Sequence, residues 1–506
     1  MNKAELQRHF TLISQSWLAI VVLTFGMWLR LWQLESQGIL FGDAAHDILA
    51  AQEAVAAGQL PLLGIESSVP RFKQGPLSVW FSMLVTLVTG GESITAYLFA
   101  FALIGCATLL LFYEYAYARM SKYSLLGATI VLALSPLAVA HARMPYHVAF
   151  LPLATLYFLW CAEKWLQQPK KSRAFFLAFS AAFAMQFELS VAPLILVAFF
   201  LVWVSYKRKM IASQKLISIW LTQVAGIALG LLPQILHDIS HGFSQLGGFA
   251  IWVGYRSVAT VYPSGHHWSL QKISILWDSI AQFGLRILSF DSILLALPAL
   301  LLIGTGIKHI LHLRRNKPWL ELRIAKNEDW LLVLTLSTLA LVAAYSIHGS
   351  PSEAYYPPFF IFLALWVGVG LEALREKHRV IPLLILLGAS SMSAVSILQS
   401  RFFLDGSKFS YGMSVLEQQQ IMRFIVQQSG GSYQLKTTVP EGSFANYFDN
   451  LRLVGKSLGH PENRLSQDSF YVEPKTHAAV TIFTLPGIVK TAEFQTTRVQ
   501  YLQNDP

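Results

Sequence analysis

The residues best suited to chemistry open the long segment 35–93, where Gly42-Asp43-Ala44-Ala45-His46-Asp47 begins a helical run to about Ala57. Spacing of i, i+3 and i+4 puts Asp43, His46 and Asp47 on one helix face. A carboxylate there can take the proton of an acceptor hydroxyl as a general base. The same spacing also suits Asp43 as an N-cap with His46 and Asp47 solvated. Further on, Arg71-Phe72-Lys73-Gln74-Gly75-Pro76-Leu77 sets two cations before a proline-started helix, whose free N–H groups and dipole also favour an anion. A lipid phosphate is the natural ligand, and snorkelling of both cations to headgroups is the plain alternative.

Polar groups recur between later apolar runs, in His141-Ala142-Arg143-Met144-Pro145-Tyr146-His147, in Gln186-Phe187-Glu188 and in His237-Asp238-Ile239-Ser240-His241. Their recurrence on one side implies a shared cavity, although any one of them also reads as a loop histidine or a cap. His237 and His241 have the i, i+4 spacing of a helical metal pair, but no third ligand matches them. His266-His267-Trp268 and Glu353-Ala354-Tyr355-Tyr356 would line an acceptor site or belong to an interfacial aromatic belt.

The elements that position these residues follow from composition. Charged residues make up 13% of the 506, about half the proportion usual in soluble domains, and hydrophobic residues make up 54%. An ordinary soluble enzyme is excluded. A net charge of +10 suits nucleic acid, yet the basic residues cluster in short connections such as Lys170, Lys171, Arg173 and Lys207, Arg208, Lys209, as cytoplasmic loops of membrane proteins do. The chain is therefore expected to be an all-α polytopic membrane protein of about eleven spans, near 16–34, 94–116, 123–140, 148–162, 174–187, 189–205, 216–236, 292–311, 330–347, 357–373 and 380–398. It would lie in the plasma (inner) membrane with the amino terminus cytoplasmic and the carboxyl terminus extracytoplasmic. The first apolar run has no small-residue cleavage site after it and reads as an anchor.

The run Pro76 to Val88 reaches only about 20 Å as a helix, short of the ~30 Å hydrocarbon core, so it is expected to be re-entrant or surface-lying. If it spanned, the basic connections after it would face outward. The long first outer loop is itself a sign of function. Cys106 and Cys161 both lie in apolar runs and read as small core residues. After Ser400 charges return, and Leu416 to Val426, Tyr433 to Val439 and Ala478 to Leu485 read as a helix and two strand-like pieces. The expected division is a transmembrane catalytic domain, 1–399, with juxtamembrane helices, and a small extracytoplasmic α/β domain, 400–506.

These motifs resemble those of the GT-C membrane glycosyltransferases, the group that includes protein O-mannosyltransferases and the aminoarabinose transferase of lipid A. The match covers mainly residues 16–165 and is looser to about 375. Gly42-Asp43-Ala44-Ala45-His46 resembles the family's first-loop Asp-Glu motif, with Ala44 in place of Glu. Lys73-Gln74-Gly75-Pro76-Leu77-Ser78-Val79-Trp80 is similar to its basic residue before Pro-Pro-Leu and an aromatic, with Gln-Gly ahead of the single proline. Ser135-Pro136-Leu137 followed by Ala142-Arg143 is similar to its Ser-Pro and Arg pattern, and His147 stands near where many relatives have Asp. His237-Asp238 to His241-Gly242-Phe243 resembles a turn of bacterial members that add sugars to cell-surface lipids or polymers.

The resemblance implies a polyprenyl-phosphate sugar as donor, a lipid, glycan or protein of the cell envelope as acceptor, membrane lipids as surroundings and no nucleic acid. It implies inversion at the anomeric carbon, with Asp43 and Asp47 as the catalytic carboxylates and Lys73, Arg143 and Arg71 on the donor phosphate. His46, His147, Glu188, His237, Asp238, His241, Tyr355 and Tyr356 would contact substrate. Asp47, Glu188 and His147 would also support a divalent ion, Mg or Mn, if one is used. No Asp-X-Asp occurs in the chain, so an inner-face nucleotide-sugar and metal site has no obvious seat. The competing readings are a flippase for a lipid-linked sugar, which would use the same cations without a base, and a structural subunit presenting the C-terminal domain. Internal repeats or broken midplane helices would favour the flippase, and the sequence shows neither.

Overall fold

Apolar segments leave the backbone no partner in hydrocarbon except itself, so they form helices. The computed structural model describes residues 17–67, 72–261, 270–315, 329–348, 352–404, 411, 413–436, 447–463, 466, 468–474, 488–494 and 497–503. Arg71, His266, His267, Trp268 and the expected strand Ala478 to Leu485 lie outside the described residues. The helices are α1 (Trp17–Leu31), α2 (Gly42–Ala57), α3 (Leu77–Thr89), α4 (Ile94–Tyr117), α5 (Lys122–Leu134), α6 (Pro136–Ala142), α7 (Leu151–Gln167), α8 (Lys171–Met185), α9 (Pro193–Lys207), α10 (Ser213–Gly230), α11 (Leu232–Ser240), α12 (Ser244–Val261), α13 (Leu270–Leu288), α14 (Ile293–Arg315), α15 (Asp329–His348), α16 (Pro357–Ala373) and α17 (Val380–Gln399).

A helix lies at each of the eleven expected spans, but length and apolarity alone qualify five of the described helices to cross a membrane, or up to seven if each bent pair is one span. The chain is a multi-pass membrane protein. The two bends have a shared cause. Pro136 has no N–H to give, so α5 stops at Ser135, whose hydroxyl accepts from Ala138 N at 3.3 Å and starts α6 at an angle of 56°. Leu231 separates α10 from α11 in the same way, ahead of Pro233, with a bend of 76°.

One end of the bundle is stitched by ion pairs between helix ends: Arg119 with Glu163, Arg208 with Asp329 at 2.9 Å and Arg379 with Glu372 at 3.5 Å. The opposite end carries Asp43, His147, Glu188 and Glu353. Helix α3 is short, ends at Gly90 in the left-handed region (φ 77°), and buries Ser78, Val79, Ser82 and Val85 while Leu84, Leu87 and Val88 face out. Cys106 and Cys161 are both buried and unpaired.

Beyond α17 the chain forms α18 (Val415–Ser429), β1 (Gln434–Lys436), α19 (Tyr447–Ser457), β2 (Asp468–Pro474), β3 (Ile488–Glu493) and β4 (Thr497–Gln503). The sheet order is β1-β2-β4-β3, with β1 parallel to β2 and the other pairs antiparallel. These elements do not bury their apolar faces on each other alone. Leu40, Ala44, Ala45 and Ile48 of the first loop share one buried cluster with Val415, Ile421, Met422, Leu451 and Val454. Residues 35–57 and the segment after Ser400 therefore form a joint layer over one end of the bundle. Each fully buried side chain such as Ile48 stabilises that contact by about 1.5–3 kcal/mol.

Candidate functional site

Helix α2 begins at Gly42 without a side-chain cap, because Phe41 precedes it, and it ends at Gly58 in the left-handed region (φ 62°), whose N–H reaches the carbonyls of Ala54 and Val55. Its buried face carries Ala44, Ala45, Asp47 and Ile48. Asp47 thus faces inward at 1% exposure, where its Oδ2 accepts from Ser78 Oγ on α3 at 3.1 Å. The same oxygen lies 3.8 Å from His147 Nδ1, and His147 Nε2 lies 3.7 Å from Glu188 Oε2. Glu188 in turn accepts from Gln74 Nε2 at 3.2 Å and from Ser190 N at 3.3 Å. A buried line runs Ser78–Asp47–His147–Glu188–Gln74.

Both His147 contacts exceed hydrogen-bond length, so they act as ion pairs. Burial pulls the His147 pKa down, but the carboxylates on either side outweigh it and raise it to about 9. The imidazole is therefore a cation held between two carboxylates. Asp43 stands at the end of this line, half-buried, next to Tyr146, with which its carboxylate shares a hydrogen bond. Burial lifts the Asp43 carboxyl above the ordinary carboxylate range, against the pull of His147 and His46. Tyr146 packs its ring edge on Phe41 at 4.8 Å and against the His147 ring at 4.1 Å.

The first loop is seated closely on this line. Gly75 lies where a Cβ would come 2.8 Å from Gln186 Cα, so the backbone beside Gln74 presses directly on the turn that carries Glu188. Gln186 itself donates to Gly230 O and Gln234 Oε1, both at 2.6 Å, tying that turn to the α10–α11 bend. A second charged cluster lies nearby. Glu353 meets His141 Nε2 at 3.0 Å, Arg286 Nη1 at 2.9 Å and the Tyr411 hydroxyl. Burial alone would raise the Glu353 pKa, yet His141 and Arg286 hold it below the usual range. Glu353 opens the 3-10 turn Glu353–Tyr355, and the Tyr345 hydroxyl donates to Tyr355 O.

No protein-family model matches this chain, and no curated protein matches it. Among solved structures, the crystal structure of ArnT from Cupriavidus metallidurans bound to undecaprenyl phosphate matches with a TM-score of 0.62 at 12% sequence identity, over 97% of this chain and 98% of that one. The same protein in the apo state matches with a TM-score of 0.59 at 13% identity and the same coverages. The chain has the GT-C fold.

Within the GT-C fold the expected site residues divide. Asp43, Asp47, His147 and Glu188 converge as described, and Tyr355 lies within electrostatic reach of Tyr146. Tyr356 is buried, with its ring 4.9 Å from Phe283 and its hydroxyl without a hydrogen-bond partner among the described residues. His46 turns away from the line and meets Asp449 of α19 at 3.2 Å. Lys73 is half-exposed, 3.7 Å from Glu66, and its backbone N–H donates to Gln245 Oε1 at 2.7 Å. His237 and His241 stack at 3.9 Å on an exposed surface of α11 near Lys73.

Two expected roles do not fit. Arg143, expected on the donor phosphate, is fully buried, with its guanidinium donating to the carbonyls of Leu29 (2.9 Å) and Gln37 (3.1 Å) and stacked 3.5 Å over the Phe402 ring. Backbone carbonyls take both terminal nitrogens and an aromatic ring covers the guanidinium plane, which leaves only the buried Nε–H without a partner among the described residues. Asp238, expected on substrate, accepts from Gln245 N at 2.7 Å and Leu246 N at 2.8 Å and so caps α12. A divalent ion does not fit between Asp47 and Glu188 either. His147 stands there as the cation, and among the described residues no three His, Cys, Asp or Glu side chains form a metal-holding group.

Sequence reasoning missed Gln74, Ser78, Tyr146 and Asp449 as partners of the site. Gln74 and Ser78 flank Pro76 at the start of α3, so their proximity to a loop carboxylate was open to suspicion. Asp449 had no local signal.

Proposed function

We propose that this chain is an inverting glycosyltransferase that moves a sugar from a polyprenyl-phosphate donor to a cell-envelope acceptor on the outer face of the membrane. Asp43 takes the proton of the acceptor hydroxyl. The hydroxyl oxygen bonds to the anomeric carbon as that carbon's bond to the phosphate oxygen breaks, and the electron pair leaves on polyprenyl phosphate. Lys73, with Arg71 two residues before it in the chain, stabilises the charge that develops there. His147 keeps Asp47 and Glu188 compensated, so that α2, the first loop and the Glu188 turn stay together around Asp43. Tyr146, half-buried beside Asp43, supplies aromatic surface on which a sugar ring packs.

The observation that carries this reading is the position of Asp43, half-buried with a raised carboxyl at the accessible end of the buried Asp47–His147–Glu188 line. The fold shared with ArnT supports a lipid-linked donor, since that protein's structure holds undecaprenyl phosphate. The test is transfer of radiolabelled sugar from a panel of polyprenyl-phosphate sugars to a membrane extract, by the wild type and by Asp43→Asn. Transfer by the wild type and none by a variant that still binds donor is expected. Undiminished transfer by Asp43→Asn would remove its role as base, and no transfer with any donor would sink the enzyme reading in favour of a flippase.

A further inference from the structure

The segment after Ser400 grips α2 at two places. At the start of α2 the carbonyl of Leu40 accepts from Gln418 Nε2 at 2.8 Å and from Asn450 Nδ2 at 3.4 Å, and Ile39 bridges to Ser414. These contacts stand just ahead of a helix N-terminus that lacks a side-chain cap, three residues before Asp43. One turn further on, His46 Nδ1 meets Asp449 Oδ2 at 3.2 Å, and Asp449 Oδ1 accepts from Arg452 Nη1 at 2.9 Å. Arg452 is anchored by Glu462 at 2.7 Å. His46, otherwise 54% exposed, is thereby oriented at i+3 from Asp43 on the face they share.

Resting on the glycosyltransferase reading above, we infer that Asp449 is a positioning residue for the base: itself held by Arg452, it fixes the His46 imidazole on α2 one helical turn from Asp43. The groups facing this pair are Asp43 and Asp47 on α2, His147 and Tyr146 on the adjoining turn, and Asp449 and Arg452 on α19. The Asp449 hydrogen bond raises the His46 pKa, and the His46 charge in turn lowers that of Asp43. The C-terminal segment is thus part of the reacting site and more than a cover over it. With Asp449 neutralised, His46 loses its proton at lower pH, Asp43 loses a neighbouring cation, and its carboxyl ionises only at higher pH.

The test compares the full-length wild type, Asp449→Asn, Asp449→Glu, His46→Gln and the double variant in detergent. The readouts are the pH profile of kcat and carbodiimide labelling of Asp43 against pH, followed by mass spectrometry. Carbodiimide reacts with the protonated carboxyl, so its midpoint reports Asp43 with no dependence on turnover. Asp449→Asn should move both the acid limb and the labelling midpoint alkaline by about half to one pH unit. His46→Gln should do the same, the double variant no more than either, and Asp449→Glu should restore the wild-type values. A uniform loss of kcat with an unmoved limb and midpoint would reduce Asp449 to a fold contact and overturn the inference. Shifts that add in the double variant would overturn the route through His46. If the wild type transfers no sugar, the labelling midpoints still decide the coupling, while the enzyme reading fails separately.

Discussion

His147 Nε2 lies 3.7 Å from Glu188 Oε2, and with Asp47 on the other ring nitrogen the imidazole is a buried cation between two anions. The first loop and the Glu188 turn are joined through this one side chain. Removing it leaves two buried carboxylates without the charge between them.

His147 has a pKa of about 9 in the folded chain against an ordinary 6.5, so the pairing contributes stability that is fully present below about pH 6.5 and lost as pH rises through about 9. The contribution is on the order of 3 kcal/mol. Melting in detergent should show a Tm that falls between about pH 6 and pH 10, with His147→Gln lower at acid pH and nearly flat across that range. Parallel curves for the two proteins would contradict the imidazolium.

Asp43→Asn keeps the shape of the side chain and removes a charge that burial disfavours, so it should reduce transfer by about 10²–10⁴-fold while Tm changes by little. Because burial raises the Asp43 carboxyl, the acid limb of the wild-type rate profile should lie above the ordinary carboxylate range. A limb near pH 4 would argue for another base.

Glu353 is held below its ordinary pKa, so its pairs with His141 and Arg286 contribute stability that is present above that ordinary value and lost as pH falls through the lowered one. Glu353→Gln removes the carboxylate that His141 and Arg286 share, leaving Arg286 with Asp291 at 3.8 Å, and should cost about 3–5 kcal/mol at neutral pH. The gap in Tm from the wild type should close on acidification. A gap that widens instead would reverse this assignment of charge.

Arg143 and Lys73 should separate in their kinetics. Lys73→Ala should raise KM for the donor with Tm unchanged. Arg143→Lys, which cannot bridge the carbonyls of Leu29 and Gln37 while stacking on Phe402, should lower Tm with the donor KM unchanged. The reverse pattern would return Arg143 to the phosphate.

Gly75→Ala places a methyl group against the Gln186 backbone and should cost about 1–3 kcal/mol. The same change should weaken transfer, since Gln74 can no longer approach Glu188. Activity equal to wild type would show that this contact is dispensable.

What the sequence by itself determined is what repeats locally. Apolar run length placed helices in all eleven expected segments, and the polar spacing after Phe41 marked the start of α2. These are backbone and side-chain periodicities within a few turns, so composition and spacing suffice. The breaks ahead of Pro136 and Pro233 came from the structure, where the sequence reading had no broken helix. Tertiary structure alone decided the partners. Arg143 and Lys73 are both cations at loop ends, yet one is spent on carbonyls more than a hundred positions away and the other remains at the surface. Asp238 stands in the last turn of α11 and Glu188 just after α8, yet one caps the next helix and the other meets His147. The expected boundary at residue 400 hid the shared layer in which Leu40 and Ile48 pack with Val415 and Leu451. Such choices depend on which surfaces the fold brings together. A polar side chain has the same intrinsic valence wherever it stands, and only the packed chain decides which partner satisfies it.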